Sequence, residues 1–421
     1  MRLHRNLVLA IIESLSQIFN QKKQADKIVA ITLKQDRRWG ARDRSFVAET
    51  IYDIVRWKRL YAKLAGLETQ NNDTFDTYST QNLFQLFSVW LILKEIELPI
   101  WEEFEKFNYD KTKIDEIKQN FNQLSQIRKY RESIPDWLDN LGEQELGNEI
   151  WTKEIAALNN QAPVILRVNT LKTDIKKLQK QLSEQNIETK KIKDYPDAIQ
   201  LLERKNILKN ELYKEGFFEV QDASSQLIAY FLDIKKGIQI IDTCAGAGGK
   251  SLHIASLLQN KGQITAMDIY ENKLVELRKR ANRADVHNIK TYSIKKENNK
   301  IDNSQFKQFY NSADRVLIDA PCSGLGVLSR NPDAKWKLSL AFLEEIKQTQ
   351  QNLLQEYSKM TKKGGKLVYA TCSILPSENQ NQVEAFLNSE NGKDFKFIED
   401  KKILSHQTGY DGFYMVLLEK V

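Results

Sequence analysis

Apolar residues recur at intervals of three and four along the first 135 positions. The stretches "NLVLAIIESLSQIF", "RSFVAETIYDIVRW" and "NLFQLFSVWLILKEI" each carry the pattern of an amphipathic helix. Between them, 69–82 ("TQNNDTFDTYSTQN") is polar and turn-rich and predicts a loop. No strand pattern appears, so residues 1–135 predict an all-helical domain. After "SIPDWL" the period changes. "PVILRVNT", "DAIQLLE" and "GFFEVQD" predict strands, and "LKTDIKKLQKQLSEQN" and "ASSQLIAYFLD" predict helices. Residues 136–235 therefore form a small α+β segment. From 236 to 421 strands alternate with helices: "GIQIIDTC", "GGKSLHIASLLQ", "GQITAMDIY", "NKLVELRKRANRA", and onward to "GFYMVLLEK". That alternation predicts a mostly parallel sheet covered on both faces. Ligands of such sheets bind beyond the carboxyl ends of the strands.

The composition suits packed domains. The chain has 421 residues, 41% of them hydrophobic and 28% charged, enough for two or three cores. No run of 18 apolar residues predicts a membrane span. The start, "MRLHRNLVLAIIESL", begins like a signal peptide, but Glu13 interrupts it and no small-residue cleavage site follows. It reads as the first helix of a cytoplasmic protein. The net charge is +7, and residues 1–65 carry 14 Lys and Arg against 6 Asp and Glu. Trp39, Trp57 and Tyr61 sit among Arg37, Arg38, Arg42, Arg44, Arg56, Lys58 and Arg59. Interleaved cations and rings suit a polyanion; they equally suit a solvated helix face with its aromatics in the core.

The candidate chemistry begins at "IIDTCAGAGGKS", Ile240 to Ser251. Gly249, Lys250 and Ser251 end a phosphate-loop pattern, but Cys244 stands where that pattern begins with glycine. A cofactor turn fits better. Asp242 ends one strand, Gly246, Gly248 and Gly249 allow close backbone approach, and Asp268 ends the next strand, where a carboxylate can accept from two ribose hydroxyls. No complete G-x-G-x-x-G is present, which favours an adenosine cofactor without a pyrophosphate.

The three cysteines, Cys244, Cys322 and Cys372, are too few and too scattered for a disulfide framework or a zinc site, and no metal site is expected. All three fall at or just past strand ends. "LIDAPCSGLG" sets Asp319, Pro321 and Cys322 after one strand; "LVYATCSILPSEN" sets Thr371, Cys372 and Ser373 after another. Adjacent strands would bring two thiols to one rim, for metal binding, redox exchange or nucleophilic chemistry. Nucleophilic chemistry explains most. C5 of cytosine is a poor nucleophile until a thiolate adds at C6. Asp319 is placed to stabilise the charge on N3, and Cys322 is a candidate for the group that removes the C5 proton.

"DTCAGAGGKS", "MDI", "DRVLIDAPCSGLGVLSRNPDAKW" and "VYATCSILPSEN" together resemble the Sun (Fmu) family of RNA 5-methylcytosine methyltransferases. "PVILRVNTLKT" and "GFFEVQDASSQL" resemble the segment preceding the catalytic domain in that family. The basic helical region resembles the NusB-like RNA-binding domain of a bacterial member that acts on small-subunit ribosomal RNA. The resemblance implies a class I Rossmann-like methyltransferase domain, S-adenosylmethionine as cofactor and RNA as partner, ribosomal RNA ahead of transfer RNA. It implies Cys372 as the nucleophile and Cys322 as the helper in release; the similar DNA enzymes attack with the proline-cysteine thiol. Cys244, Ala245, Gly246, Ala247, Gly248, Gly249 and Lys250 would wrap the cofactor, Asp268 its ribose, and Asp319 both cofactor and base. Two departures stand out. Gly246-Ala247 replaces the family's Ala-Pro, which predicts a looser turn, and no aspartate follows the third strand, where Glu297 is the substitute. Arg330 and Lys335 are candidates for RNA phosphate. A monomer is expected.

Overall fold

The computed structural model describes residues 3–67, 77–297 and 300–421, with only the backbone of Glu297 and Lys300. Most of the polar stretch at 69–82 and the Glu297 side chain thus lie outside the described residues. The chain divides into two compact units, Met1–Asn160 with Leu328–Leu340, and Gln161–Val327 with Ala341–Val421.

Among the described residues the first unit contains helices and no strand. Helix Arg5–Phe19 buries Leu7, Val8, Ile11, Leu15 and Ile18, one face at helical spacing. Helices Thr80–Leu93 and Lys111–Leu124 start where Ser79 and Asp110 accept from backbone N–H groups three residues on. Helices Asp136–Leu146 and Asn148–Leu158 belong to this unit, and buried Trp151 donates through Nε1 to Asp139 Oδ1 at 2.7 Å. Pro135 stands at the start of the first of these helices.

The segment "NPDAKW" joins this unit although it follows the Cys322 loop in sequence. Asp333 accepts from Ala25 N–H at 3.2 Å, and Trp336 Nε1 donates to Val55 O at 2.6 Å. Lys335 is 1% exposed and donates to Glu132 O (3.1 Å) and Asn159 Oδ1 (3.2 Å). An RNA-phosphate role for Lys335 is therefore corrected: burial, with Arg56 nearby, holds its pKa well below the usual lysine range. The basic-aromatic stretch divides likewise. Trp39 and Tyr61 are buried, Arg59 pairs with Asp136 at 2.8 Å, and Lys58 lies 5.2–5.3 Å from the rings of Phe19, Tyr78 and Trp336. Arg37, Arg38 and Arg42 stay exposed.

The second unit holds two main sheets. Strands β1 (Ile165–Val168), β2 (Thr189–Lys191), β3 (Ala198–Leu201) and β4 (Phe218–Val220) form an antiparallel sheet in the order β2-β3-β1-β4. The larger sheet has β5 (Gln239–Asp242), β6 (Gln263–Asp268) and β7 (Ile289–Ser293). After the short ribbon β8 (Lys296–Glu297) and β9 (Lys300–Ile301) come β10 (Ala313–Asp319), β11 (Thr361–Thr371), β12 (Phe395–Ile403) and β13 (Phe413–Lys420). Its order is β12-β13-β11-β10-β5-β6-β7, parallel from β11 to β7 with β13 and β12 antiparallel. This is the expected Rossmann-like sheet. The chain leaves β5 toward β6 and returns to β10 on the other side, so the switch point falls between β5 and β10. The two central strands read as buried runs, such as Val316, Leu317 and Ile318 of β10.

Candidate active site

The switch point collects the predicted residues. β5 ends at Asp242, and the turn 243–248 leads into helix Gly249–Leu258. Gly246 and Gly248 have φ of +55° and +85°, and a Cβ on Gly248 would meet the Leu277 side chain at 2.5 Å. The turn is not loose, despite Gly246-Ala247. Asp268 Oδ2 accepts from Gly246 N–H at 2.8 Å, Arg280 donates to Ala247 O at 2.8 Å, and Arg167 from β1 donates to Gly249 O. Glu219 on β4 aligns Arg280 at 2.9 Å.

Asp268, expected at a ribose, spends one oxygen on Gly246 and the other on Tyr270 N–H, each at 2.8 Å. Each oxygen keeps a second lone pair. A cavity of about 190 Å³ is lined by Asp242, Cys244, Ala245, Gly249, Lys250 and Asp319 among others. That is smaller than the roughly 300–1,000 Å³ typical of ligand sites, so it accommodates part of a cofactor. Gly246, Ala247, Gly248 and Asp268 are not in its lining.

The phosphate-loop reading loses its parts. Ser251 Oγ is buried and donates to Asp242 Oδ2 at 2.6 Å, so it is not free for a metal. Lys250 Nζ donates to Asp319 Oδ2 at 2.6 Å and lies 5.6 Å from the Phe413 ring. Burial alone would lower the Lys250 pKa; the Asp319 carboxylate, with help from Cys372 and Asp242, raises it instead. Lys250 is thus a fixed ammonium inside the site.

Cys244 is half-buried, and desolvation together with the Asp242 and Asp319 charges drives its pKa far up, so it acts as a small apolar group. Cys322 and Cys372 behave differently. They are free thiols with Sγ atoms 3.3 Å apart. The hydrogen bond to Cys372, then burial, then the Cys372 charge push the Cys322 pKa well up. Of the two thiols, Cys322 is the one whose ionisation its surroundings oppose.

Two residues to which the sequence assigned no role belong to the site. Glu378 is fully buried. Its carboxylate accepts from Ser323 N–H (2.8 Å), Ser323 Oγ (2.5 Å), Gln350 Nε2 (3.1 Å) and Ser373 Oγ. Ser323 and Ser373 directly follow the two cysteines, so one carboxylate ties both thiol loops together. Gly326 closes the same region: a Cβ there would meet Gly412 O at 2.1 Å and Cys372 O at 2.8 Å. The second is Asp242, placed at the strand end by the sequence but given no role there, whose Oδ1 is buried with no hydrogen-bond partner. Burial, with the Asp319 charge, pushes its pKa up to about 7. The sequence signal for Glu378 was its place in "TCSILPSEN"; for Asp242 it was the strand end before the glycine turn.

A parallel sheet with a glycine turn after β5, an acid after β6 and polar loops at the switch point defines a Rossmann-like methyltransferase. The family described as "16S rRNA methyltransferase RsmB/F" matches residues 229–419, and its ferredoxin-like domain matches 134–208. A probable ribosomal RNA small subunit methyltransferase B from Synechocystis is 34% identical over 304 residues, covering 68% of this chain and 67% of the relative. One from Bacillus subtilis is 33% identical over 308 residues, covering 68% and 66%. The chain belongs to the RsmB/F family, whose members use S-adenosylmethionine. The matched region spans about two thirds of those relatives' length. The crystal structure of PH0851 has the same fold throughout, with a TM-score of 0.81 at 23% identity over 100% of both chains. That of NSun6 from Pyrococcus horikoshii covers 69% of this chain and 100% of its own, with a TM-score of 0.62 at 21% identity.

Proposed function

We propose that the chain methylates C5 of a cytosine in RNA, small-subunit ribosomal RNA being the substrate that its relatives' names favour. The observation that carries this reading is the pair of free thiols 3.3 Å apart beside the Lys250–Asp319 ion pair. S-adenosylmethionine, when bound, supplies an electrophilic methyl group. The residues fit it. The buried, partnerless Asp242 Oδ1 suits an ammonium, and the helix start at Gly249, with no acid in its first turn, suits a carboxylate. Asp268 retains lone pairs for hydroxyls.

Cys372 acts as the nucleophile. Its sulfur receives the Cys322 proton as a hydrogen bond and lies within the field of the Lys250 ammonium. As the thiolate adds to C6, electron density moves to N3, and a proton shared by Lys250 and Asp319 meets it. Forming the C–S bond removes the Cys372 charge and hydrogen bond, the first and third causes of the raised Cys322 pKa. Cys322 can then release its proton to solvent and accept the C5 proton as a thiolate. The C6–S bond breaks, its electron pair returns to Cys372, and the N3 proton returns to the ion pair. The thiol that is inert at the start becomes the base when one is needed.

The test uses RNA containing 5-fluorocytosine, whose fluorine blocks the release step. A covalent protein–RNA band is expected from the wild type and not from Cys372→Ala. Cys322→Ala should accumulate the same band on unmodified RNA. Full methyl transfer by Cys372→Ala would overturn the nucleophile assignment.

A further inference from the structure

A second cleft in the same unit takes no part in the chemistry above. It has a volume of about 580 Å³ and joins segments some two hundred residues apart in sequence. One wall is β2, the edge strand of the small sheet, with Lys190 and Lys191; Lys193 follows. The other wall is β12, the edge strand of the large sheet, with Lys401. Tyr195 and Tyr410 meet across it, ring centroids 5.3 Å apart and 74° inclined.

We propose that this cleft holds the RNA strand next to the target base, with the lysines on phosphates and the tyrosines against bases. Three observations support this. Lys190, Lys191, Lys193 and Lys401 are exposed, and among the described residues none has a side-chain ion pair or hydrogen bond. Asp194 is the one acid in the lining. Unpaired cations on two rails with aromatic rings between them are the arrangement that binds single-stranded nucleic acid. Finally, the cleft is tied to the reaction loops. Tyr410 lies three residues before Phe413, at most about 11 Å along the chain, and Phe413 lies under Lys250. Gly412 between them donates to Gly326 O at 2.7 Å, and Gly326 donates to Cys372 O at 2.9 Å.

The proposal rests on RNA as substrate, and its test is kept separate from methylation. Binding of an oligouridylate, which contains no cytosine, is measured by fluorescence anisotropy across a salt series. The full chain is compared with K190Q/K191Q/K401Q. Losing three phosphate contacts should reduce the slope of log K against log salt by about 2 and weaken binding about 10- to 100-fold at moderate salt. Tyr410→Ala should weaken binding about tenfold and Tyr410→Phe should restore it. The unfolding temperature of the triple variant should match the wild type, because these lysines have no partners to lose. An unchanged slope and affinity overturns the proposal, as does a loss confined to anionic vesicles or an acidic peptide. Wild-type chain that binds through the cleft yet never methylates RNA upholds the cleft and refutes the reaction reading.

Discussion

Replacing Glu378 tests whether one buried carboxylate sets the geometry of both thiols. It has four donors: Ser323 N–H, Ser323 Oγ, Gln350 Nε2 and Ser373 Oγ. In Glu378→Ala the two hydroxyls can pair with each other, since Ser323 Oγ and Ser373 Oγ lie 3.1 Å apart. Ser323 N–H and Gln350 Nε2 are left without an acceptor from this side chain. At about 1–3 kcal/mol for each orphaned donor, the loss is about 2–6 kcal/mol before any cavity term, a large part of a domain's stability. Glu378→Gln is the sharper probe. Its amide oxygen can serve Ser323 N–H and Gln350, and its NH₂ can donate to two rotated hydroxyls. Four charge-assisted bonds become ordinary ones, each weaker by about 1 kcal/mol. Easier burial of a neutral amide offsets part of this, for a net loss of about 1–2 kcal/mol.

The decisive assay is not stability. Looser thiol loops should lower kcat about 10- to 100-fold and leave S-adenosylmethionine affinity, by calorimetry, near wild type. A second readout follows the charge. The Glu378 carboxylate helps to raise the Cys322 pKa, so removing that charge must lower it. In a Cys372→Ser background, the pH midpoint for iodoacetamide alkylation of Cys322 should fall when Glu378→Gln is added. An unmoved midpoint together with an unchanged rate would refute the reasoning, because a purely structural glutamate predicts neither shift.

Asp242 has a pKa near 7 when folded, so S-adenosylmethionine affinity should fall about tenfold as pH drops from about 8 to about 6; Asp242→Asn should bind more weakly with a flat profile, measured by calorimetry. A carboxyl pKa raised by folding contributes stability below its unfolded value and loses it as pH rises through the folded value. Asp242→Asn should therefore unfold at a higher temperature than wild type at pH 8. Lys335 has the opposite sense: its lowered pKa gives a contribution complete above about 10.5 and lost as pH falls through the folded value. Wild-type unfolding temperature should gain more between about pH 8 and 10 than that of Lys335→Met. The Cys322 and Cys372 sulfurs need to approach by about 1.2 Å to reach bonding distance. Diamide should close an intramolecular disulfide and abolish methyl transfer, with dithiothreitol restoring it; activity that survives complete oxidation of the pair would contradict the shared thiol site.

Strand periodicity and the position of each cysteine were legible in the sequence because both are local. A strand end followed at once by a polar loop can be read within ten residues, and Cys244, Cys322 and Cys372 all fit that form. What could not be read depends on partners distant in sequence. Glu378 meets Ser323 across 55 positions, and nothing near "PSEN" states that two serines and a glutamine will surround it. Lys335 looked like a surface cation because lysine usually is one. Its burial is decided by helices 176 and 203 positions away, at Asn159 and Glu132. Pro135 has two meanings in a sequence, a break or a helix start, and the helix Asp136–Leu146 that begins after it shows the second.

The same distance argument bears on which sulfur attacks. Cys322 and Cys372 are the same residue at neighbouring strand ends, and spacing gives no reason to prefer either. The fold surrounds them with unlike charges. The influence of Glu378 falls on Cys322 and opposes its ionisation, whereas the Lys250 ammonium interacts with Cys372. Exchanging the two roles, as in the similar DNA enzymes, would require moving a buried carboxylate and a half-buried ammonium as well as the sulfur. The order of attack proposed for this chain is thus tied to the glycine turn that carries Lys250 and to the loop that carries Glu378. Neither thiol has a role apart from them.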